Sequence, residues 1–395
     1  MRTRVVITGI GVVSGNGDNQ IDFENACIKG KSGIKKCTAF STEGLCTPYF
    51  GQADIAQNEN RFLALLKKSA EEMMTDAGIG KEEFSAMGND CRMFLGSLLY
   101  SSDAYYHHSL AKRKGEDEDT LAHMNDYSSF AREVTGVRGP VQVSSAACAS
   151  GTTSVGMALE YIRSGVCSCA VIGGVDSLSI IAAYGFHALK SMSESICNPY
   201  DQNRDGINIG ECGAFMFLET LEHAEKRGAK IYCEVAGYAL GNDAYHITSP
   251  EPEGNGAYIT MKAALKDAGI GPEELDYING HGTGTRINDD MELKAIERLC
   301  AEQKKVIPVS STKALTGHCM GASGTIELAS VIFAMRKKKY LPMPNLKEKL
   351  TDSEKVILEA EAFDLDIKYA LSNSFAFAGN SASIVIAQYN GGEAK

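Results

Sequence analysis

Two stretches far apart in the chain read alike. PVQVSSAACASG leads into a helix of small residues ending near Ser164, and IPVSSTKALTGHCMGASG leads into another ending near Met335. Each is an apolar run, a Val-Ser-Ser step, a glycine-bearing turn and a small-residue helix, which reads either as one βα unit written twice or as two βα units alike by chance. The same alternation recurs between them. Arg4 to Ile10 reads as a buried strand, and Cys169 to Ser177 as a second that runs into glycines. Arg61 to Ala77 reads as a helix, with Phe62, Leu65, Leu66, Met73 and Met74 at helical spacing. Strands alternating with helices specify an α/β protein with largely parallel sheets. A chain of 395 residues is long enough for two such units. The expected division is into related halves, 1–231 and 232–395, meeting near Tyr232.

Charge narrows the partners. Lys plus Arg number 39 against 50 for Asp plus Glu, a net charge of -11 that repels nucleic-acid phosphates and anionic membranes. No apolar run reaches the ~18–20 residues a bilayer demands. The N-terminus passes directly into a strand, with no small-residue cleavage site. A cytoplasmic protein is expected, without nucleic-acid or membrane partners. Its 12 cysteines are scattered through apolar segments and read as mostly reduced, buried thiols. Ser101 to Asp126 is rich in His, Lys and acidic residues and is expected as an exposed insertion or helix-loop.

Four residue types could carry chemistry. Cys148 in VSSAACASG falls at a strand-to-helix turn, where helix polarity favours thiolate. His281 in YINGHGTGT and His318 in SSTKALTGHCMGASG both lie on glycine-flanked turns after strands, with Lys313 five residues before His318. Such positions suit a site at the carboxyl edge of a sheet. Phe377 in SNSFAFAGNSAS sits among small residues on a loop, as a mobile gate would. Taken singly, each has a structural reading too: a core thiol, a satisfied histidine, a packing aromatic. Other motifs fail. Gly9, Gly11 and Gly15 misplace the third glycine of a dinucleotide loop, and Lys31-Ser32 lacks the glycine of a phosphate loop. Cys167 and Cys169 are too close for a zinc pair.

Read together, and in order, these segments resemble the β-ketoacyl-[acyl-carrier-protein] synthase family, most of all synthase II of bacteria. The likeness spans RVVITGIGVVSGNG, GVRGPVQVSSAACASG, NPYDQNRDGINIGECGAFMFLETLEHAEKRGAKIY, DAYHITSP, YINGHGTGT, SSTKALTGHCMGASGTIE and NSFAFAGNS. It implies a thiolase-like fold of two related halves in five layers, α-β-α-β-α. It implies that Cys148 accepts an acyl group from a carrier's phosphopantetheine, and that His281 and His318 promote decarboxylation of malonyl carrier. The enolate then attacks the Cys148 thioester to give 3-oxoacyl carrier and CO2. Backbone N–H groups of Cys148 and Phe377 would form the oxyanion hole. Lys313 and Glu327 would orient the histidines, and Thr248, Thr283 and Thr285 would bind pantetheine. No organic cofactor and no catalytic metal is implied, although some relatives hold a structural cation. Relatives are homodimers, and a heterodimer with a homologous subunit is also open. Lys67, Lys68 and Arg204 are candidates for meeting the acidic carrier protein.

The departures are local. Ala376 and Ala378 replace glycines beside the gate, Asn380-Ser381 replaces Thr-Asn, Cys212 replaces a glycine, and Arg286 replaces a proline after the threonine pair. With the divergent stretch from Tyr100 to Phe130, they point toward a synthase of specialised polyketide or polyene chains over housekeeping fatty-acid elongation. Two other readings compete. A thiolase would place a second cysteine where His318 stands. A non-catalytic chain-length subunit would lack the nucleophile.

Overall fold

The computed structural model describes residues 2–57, 59–115, 127–301 and 305–391. Thirteen strands follow in chain order: β1 Val5–Ser14, β2 Ile34–Lys36, β3 Tyr49–Gly51, β4 Cys91–Gly96, β5 Val141–Ser144, β6 Cys169–Asp176, β7 Cys212–Thr220, β8 Cys233–Asn242, β9 Tyr277–Asn279, β10 Ile307–Ser310, β11 Val356–Ile357, β12 Tyr369–Phe375 and β13 Asn380–Gln388. All but β2 and β3 join one continuous ladder, β11-β10-β9-β12-β13-β8-β1-β7-β6-β4-β5. Outward from its centre the order is β1, β7, β6, β4, β5 on one side and β8, β13, β12, β9, β10 on the other. Directions match as well. β1–β7 and β8–β13 are antiparallel, as are β6–β7 and β12–β13, while β4–β6, β4–β5, β9–β12 and β9–β10 are parallel. The fold is one design used twice.

The two sheets join only at Val6 and Ile7 of β1, opposite Glu234 and Cys233 of β8, and between them lie the two small-residue helices. The helix Ser150–Arg163 and the helix Ser323–Lys337 share a core with both sheets, in which Val155, Leu159, Ile326 and Ile332 meet Ile10, Met216, Ile384 and Ile386. The second of these helices is buried on every side from Ser323 to Met335. Helix Arg61–Ala77 covers the outer face of the first sheet, through a core that includes Leu65, Met73, Val171 and Phe217. Helices Asn255–Ala268 and Arg286–Cys300 cover the second, through Met261, Leu265, Ile296 and Ile278. The result is five layers, α-β-α-β-α.

Close contact needs missing side chains. A Cβ on Gly11 of β1 would lie 2.0 Å from Ser69 O of the covering helix. A Cβ on Gly324 would lie 2.0 Å from Thr152 Oγ1, so it is this glycine that lets the two central helices touch at their N-termini. That contact brings the nucleophile turn and the histidine turn together.

Sequence and structure agree on the strand Val141–Ser144 and the helix Arg61–Ala77. The predicted insertion begins as a helix, Tyr100–Lys114, while its residues 116–126 lie outside the described residues. Cys167 and Cys169 are buried, and all 12 cysteines are free thiols. Among the described residues, no helix is long and apolar enough to cross a membrane.

Candidate active site

Cys148 sits in a one-turn 3₁₀ segment, Ala147–Ala149, between β5 and the helix Ser150–Arg163. In the second half, Met320–Ala322 forms the equivalent turn before Ser323–Lys337. Both turns open on a non-glycine residue at positive φ, Ala147 at 50° and Met320 at 47°. Such backbone costs energy and persists where the surroundings over-determine it, which is typical of functional sites. His318 precedes the second turn. His281 follows β9, and its backbone N–H donates to Glu292 Oε1 at 2.7 Å.

The three side chains converge. His318 Nε2 is 3.1 Å from Cys148 Sγ. The sulfur and one ring nitrogen of each histidine all lie within 4.8 Å of one another. The imidazole rings are 5.4 Å apart and nearly perpendicular at 84°. Each Nδ1 is already engaged. Met320 N–H donates to His318 Nδ1 at 3.2 Å, and Ser323 Oγ lies 2.9 Å from it. Lys313 Nζ is 3.3 Å from His281 Nδ1 and donates to the His281 carbonyl at 2.5 Å. An Nδ1 that accepts puts the ring proton on Nε2. Both histidines therefore present N–H donors.

Electrostatics keeps them neutral. Burial, then the positive Lys313, holds His318 well below the usual histidine value; for His281 the same two causes act, joined by His318. Lys313 pairs with Glu327, and each side chain is only 1% exposed. Burial raises Glu327 to about 7 against the pull of that lysine. Cys148 departs from expectation: burial pushes its thiol up to about 12, and Lys313 offsets this only in part. The resting nucleophile is a thiol, because desolvation outweighs helix polarity when the helix proper starts two residues later, at Ser150. A pH test follows from the histidines. Their depressed values mean that the folded site does not take up protons as pH falls through 6.5, whereas an unfolded chain would. The histidines should therefore add no limb near 6.5 to the activity profile, any limb near 7 belonging to Glu327 and vanishing in Glu327→Gln, and stability should weaken below 6.5. A limb near 6.5 that survives in Glu327→Gln would contradict this geometry.

A cavity of about 560 Å³ leads to these groups. Thr248, Thr283, Thr285 and Phe377 line it with the three converging residues. Thr283 Oγ1 and Thr285 Oγ1 are 2.8 Å apart. The backbone N–H of Cys148 lies against its own sulfur, and that of Phe377 is at the start of the turn lining the cavity. Glu327 Oε2 and Asn279 Oδ1 are buried oxygens without hydrogen-bond partners.

Several working residues escaped the sequence reading. Glu292 accepts from the N–H groups of His281 and Gly282, and Asp289 from that of Thr283. An acidic pair spaced i,i+3 after a Gly-Thr loop was the available signal. Asp176 accepts from Ser97, Leu98, Leu99 and Gly321, tying the end of β6 to the histidine turn. Ser323 and the Met320 N–H act through geometry that no local pattern announces. Arg204 is a correction. At 3% exposure it reaches no carrier, and donates instead to the carbonyls of Asp201, Thr285 and Arg286 and to Asp290.

A buried thiol beside two neutral imidazole N–H donors, on a doubled α/β fold with a small-residue helix behind each turn, defines an acyl-transfer enzyme that works through a thioester. Comparison with known proteins agrees. Residues 2–224 match the family described as "Beta-ketoacyl synthase, N-terminal domain", and residues 232–347 match "Beta-ketoacyl synthase, C-terminal domain". The 3-oxoacyl-[acyl-carrier-protein] synthase 2 of Staphylococcus aureus (strain COL) is 34% identical, over 98% of each chain. That of Coxiella burnetii is 31% identical, over 98% of this chain and 99% of its own. Among solved structures, a type II polyketide ketosynthase complexed with its acyl-carrier protein, AntDE:AntF, superposes with a TM-score of 0.91 at 29% identity, covering 98% of this chain and all (100%) of that one. The ishigamide ketosynthase/chain length factor does so at 0.90 and 28%, covering 99% and 100%. The chain belongs to the β-ketoacyl synthase family. It is a thiolase-fold condensing enzyme.

Proposed function

We propose that Cys148 takes the acyl chain and that His281 and His318 activate the malonyl unit. In the first step the Cys148 sulfur attacks an acyl carrier thioester. Its proton passes to the departing phosphopantetheine thiolate, and the Cys148 and Phe377 N–H groups stabilise the oxyanion. Malonyl carrier then binds with its thioester carbonyl facing the two Nε2–H groups. The bond to the carboxylate breaks, CO2 leaves, and the electron pair enters an enolate held by those two donors. The enolate carbon attacks the Cys148 thioester, the C–S bond breaks, and the departing Cys148 thiolate takes a proton from solvent. Lys313 and Glu327 fix His281, while Thr248, Thr283 and Thr285 hold the pantetheine arm. The observation that carries this reading is the 3.1 Å contact of Cys148 Sγ with a histidine whose Nδ1 is already occupied. Intact-mass spectrometry with a panel of acyl carriers tests it: a single acyl adduct should form and disappear on adding malonyl carrier. A protein that takes no adduct from any primer would be a non-catalytic chain-length subunit instead.

The proposed partners are an acyl carrier protein and a second subunit. The free edge of β5, where Val143 is 53% exposed at the end of the ladder, offers a strand for a homologous copy. Residues 1–231 and 232–395 are the proposed halves, and their twelve reduced cysteines suit a cytoplasmic setting. Likeness to a polyketide ketosynthase and to one paired with a chain length factor supports a specialised chain as substrate.

The gate carries its own prediction. Ala378 holds φ at 61°, its N–H donates to Ile247 O at 2.7 Å, and Asn242 Nδ2 donates to its carbonyl at 2.8 Å. Phe377 rests on Phe186 with ring centres 5.7 Å apart. Left-handed backbone costs alanine ~1 kcal/mol, so Ala378→Gly favours this arrangement up to about fivefold over alternatives. Acylation by long primers should slow by that factor while short primers are spared. Equal rates for both lengths would uncouple the loop from the gate.

A further inference from the structure

Two cations at the lip of the cavity have no work assigned to them. Arg286 opens the helix Arg286–Cys300, and Lys190 follows the helix Ile180–Ala188; both side chains line the cavity and both are exposed. Neither side chain has a hydrogen-bond or ion-pair partner among the described residues. Their freedom contrasts with Arg2, Arg4, Arg61, Arg163, Arg204, Arg227 and Arg336, which are ion-paired in this chain of net charge -11. The acids that share the cavity wall are already occupied. Asp205 accepts from the Glu194 N–H, Asp243 from those of Tyr245 and Glu251, and Glu251 from those of Glu253 and Asn255.

Depth decides which anion these cations meet. The malonyl carboxylate must react beside Cys148 and His318, which are 6% and 3% exposed. The interior cation there, Lys313, is engaged by Glu327. The lip lies at the solvent end of the same cavity, beyond Thr283 and Thr285. On the proposed reading, an arm whose thioester reaches Cys148 presents one further anion outward, its phosphodiester. We propose that Arg286, assisted by Lys190, binds the phosphodiester of the substrate's phosphopantetheine arm, and so selects phosphorylated thioesters over dephosphorylated ones. A guanidinium suits this because its planar donors meet two phosphate oxygens at once. The proposal rests on the synthase reading above, since it takes that reaction's arm as its ligand.

The test uses free thioesters, so that docking of a carrier protein plays no part. Hexanoyl-phosphopantetheine and hexanoyl-pantetheine are each offered to the purified protein, and acylation of Cys148 is followed by intact mass. Wild type should favour the phosphorylated thioester in kcat/KM by about tenfold, more at low salt than at high. In Arg286→Gln that ratio should fall to near one, with the loss in KM, and Arg286→Lys should restore part of it. A wild-type ratio of one, or a ratio that survives in both Arg286→Gln and Lys190→Gln, overturns the proposal and leaves the synthase intact. Failure of either thioester, and of every acyl carrier, to modify wild-type Cys148 overturns the synthase reading itself, and this proposal with it.

Discussion

Cys148→Ala should stop the joining half of the reaction and leave the decarboxylating half running. The sulfur is the nucleophile at the centre of the site, so condensation should fall by at least about 10⁴-fold, the scale on which loss of a catalytic nucleophile registers. Decarboxylation asks for something different. It needs two N–H donors placed where negative charge develops on the malonyl thioester oxygen, and those belong to His281 and His318. Their orientation comes from Met320, Ser323 and Lys313, not from the sulfur. The enolate formed in the variant has no thioester to attack and takes a proton from water, giving acetyl carrier. Release of CO2 from malonyl carrier, with intact mass of protein and carrier, measures both halves. Continued formation of 3-oxoacyl carrier would remove Cys148 from the mechanism. Loss of both halves in a variant with an unchanged melting temperature would show that the sulfur helps build the oxyanion site.

Legibility in the sequence followed the range of the forces involved. Strand Val141–Ser144 and helix Arg61–Ala77 are set by periodicity and burial within one element, and the residues alone place them. The echo between the two turns was also legible, and its structural content proved larger than a shared motif. Ala147 and Met320 take the same unusual backbone at corresponding points, and the strand order repeats around them. What could not be read is what depends on approach between distant segments. Asp176 meets Gly321 across 145 positions, and Glu292 meets backbone that precedes it by a helical turn and a loop. Arg204 resembles a surface cation until the loop it supports folds over it. The thiol's protonation was misjudged for the same reason: helix polarity is visible in a sequence, and the desolvation that outweighs it is not.

The pairing of Lys313 with Glu327 makes the second large prediction, because it serves stability and catalysis in separable ways. Lys313→Met removes a buried cation, leaves Glu327 in a dry interior either unpaired or taking up a proton, and takes the donor from His281 Nδ1. Breaking one side of a buried pair costs ~3–5 kcal/mol, so the melting temperature should fall clearly. The free His281 can then place its proton on either nitrogen, and decarboxylation should drop by about 10²–10³-fold, as when an oxyanion donor is lost. Adding Glu327→Gln to Lys313→Met removes the unpaired buried acid. The double variant should regain most of the lost stability, yet none of the lost rate, because the His281 proton still lacks its guide. Thermal unfolding and CO2 release on the two variants separate these roles. Recovery of both together would make the pair a structural prop alone. Recovery of neither would mean that the carboxylate itself takes part in the chemistry at His281.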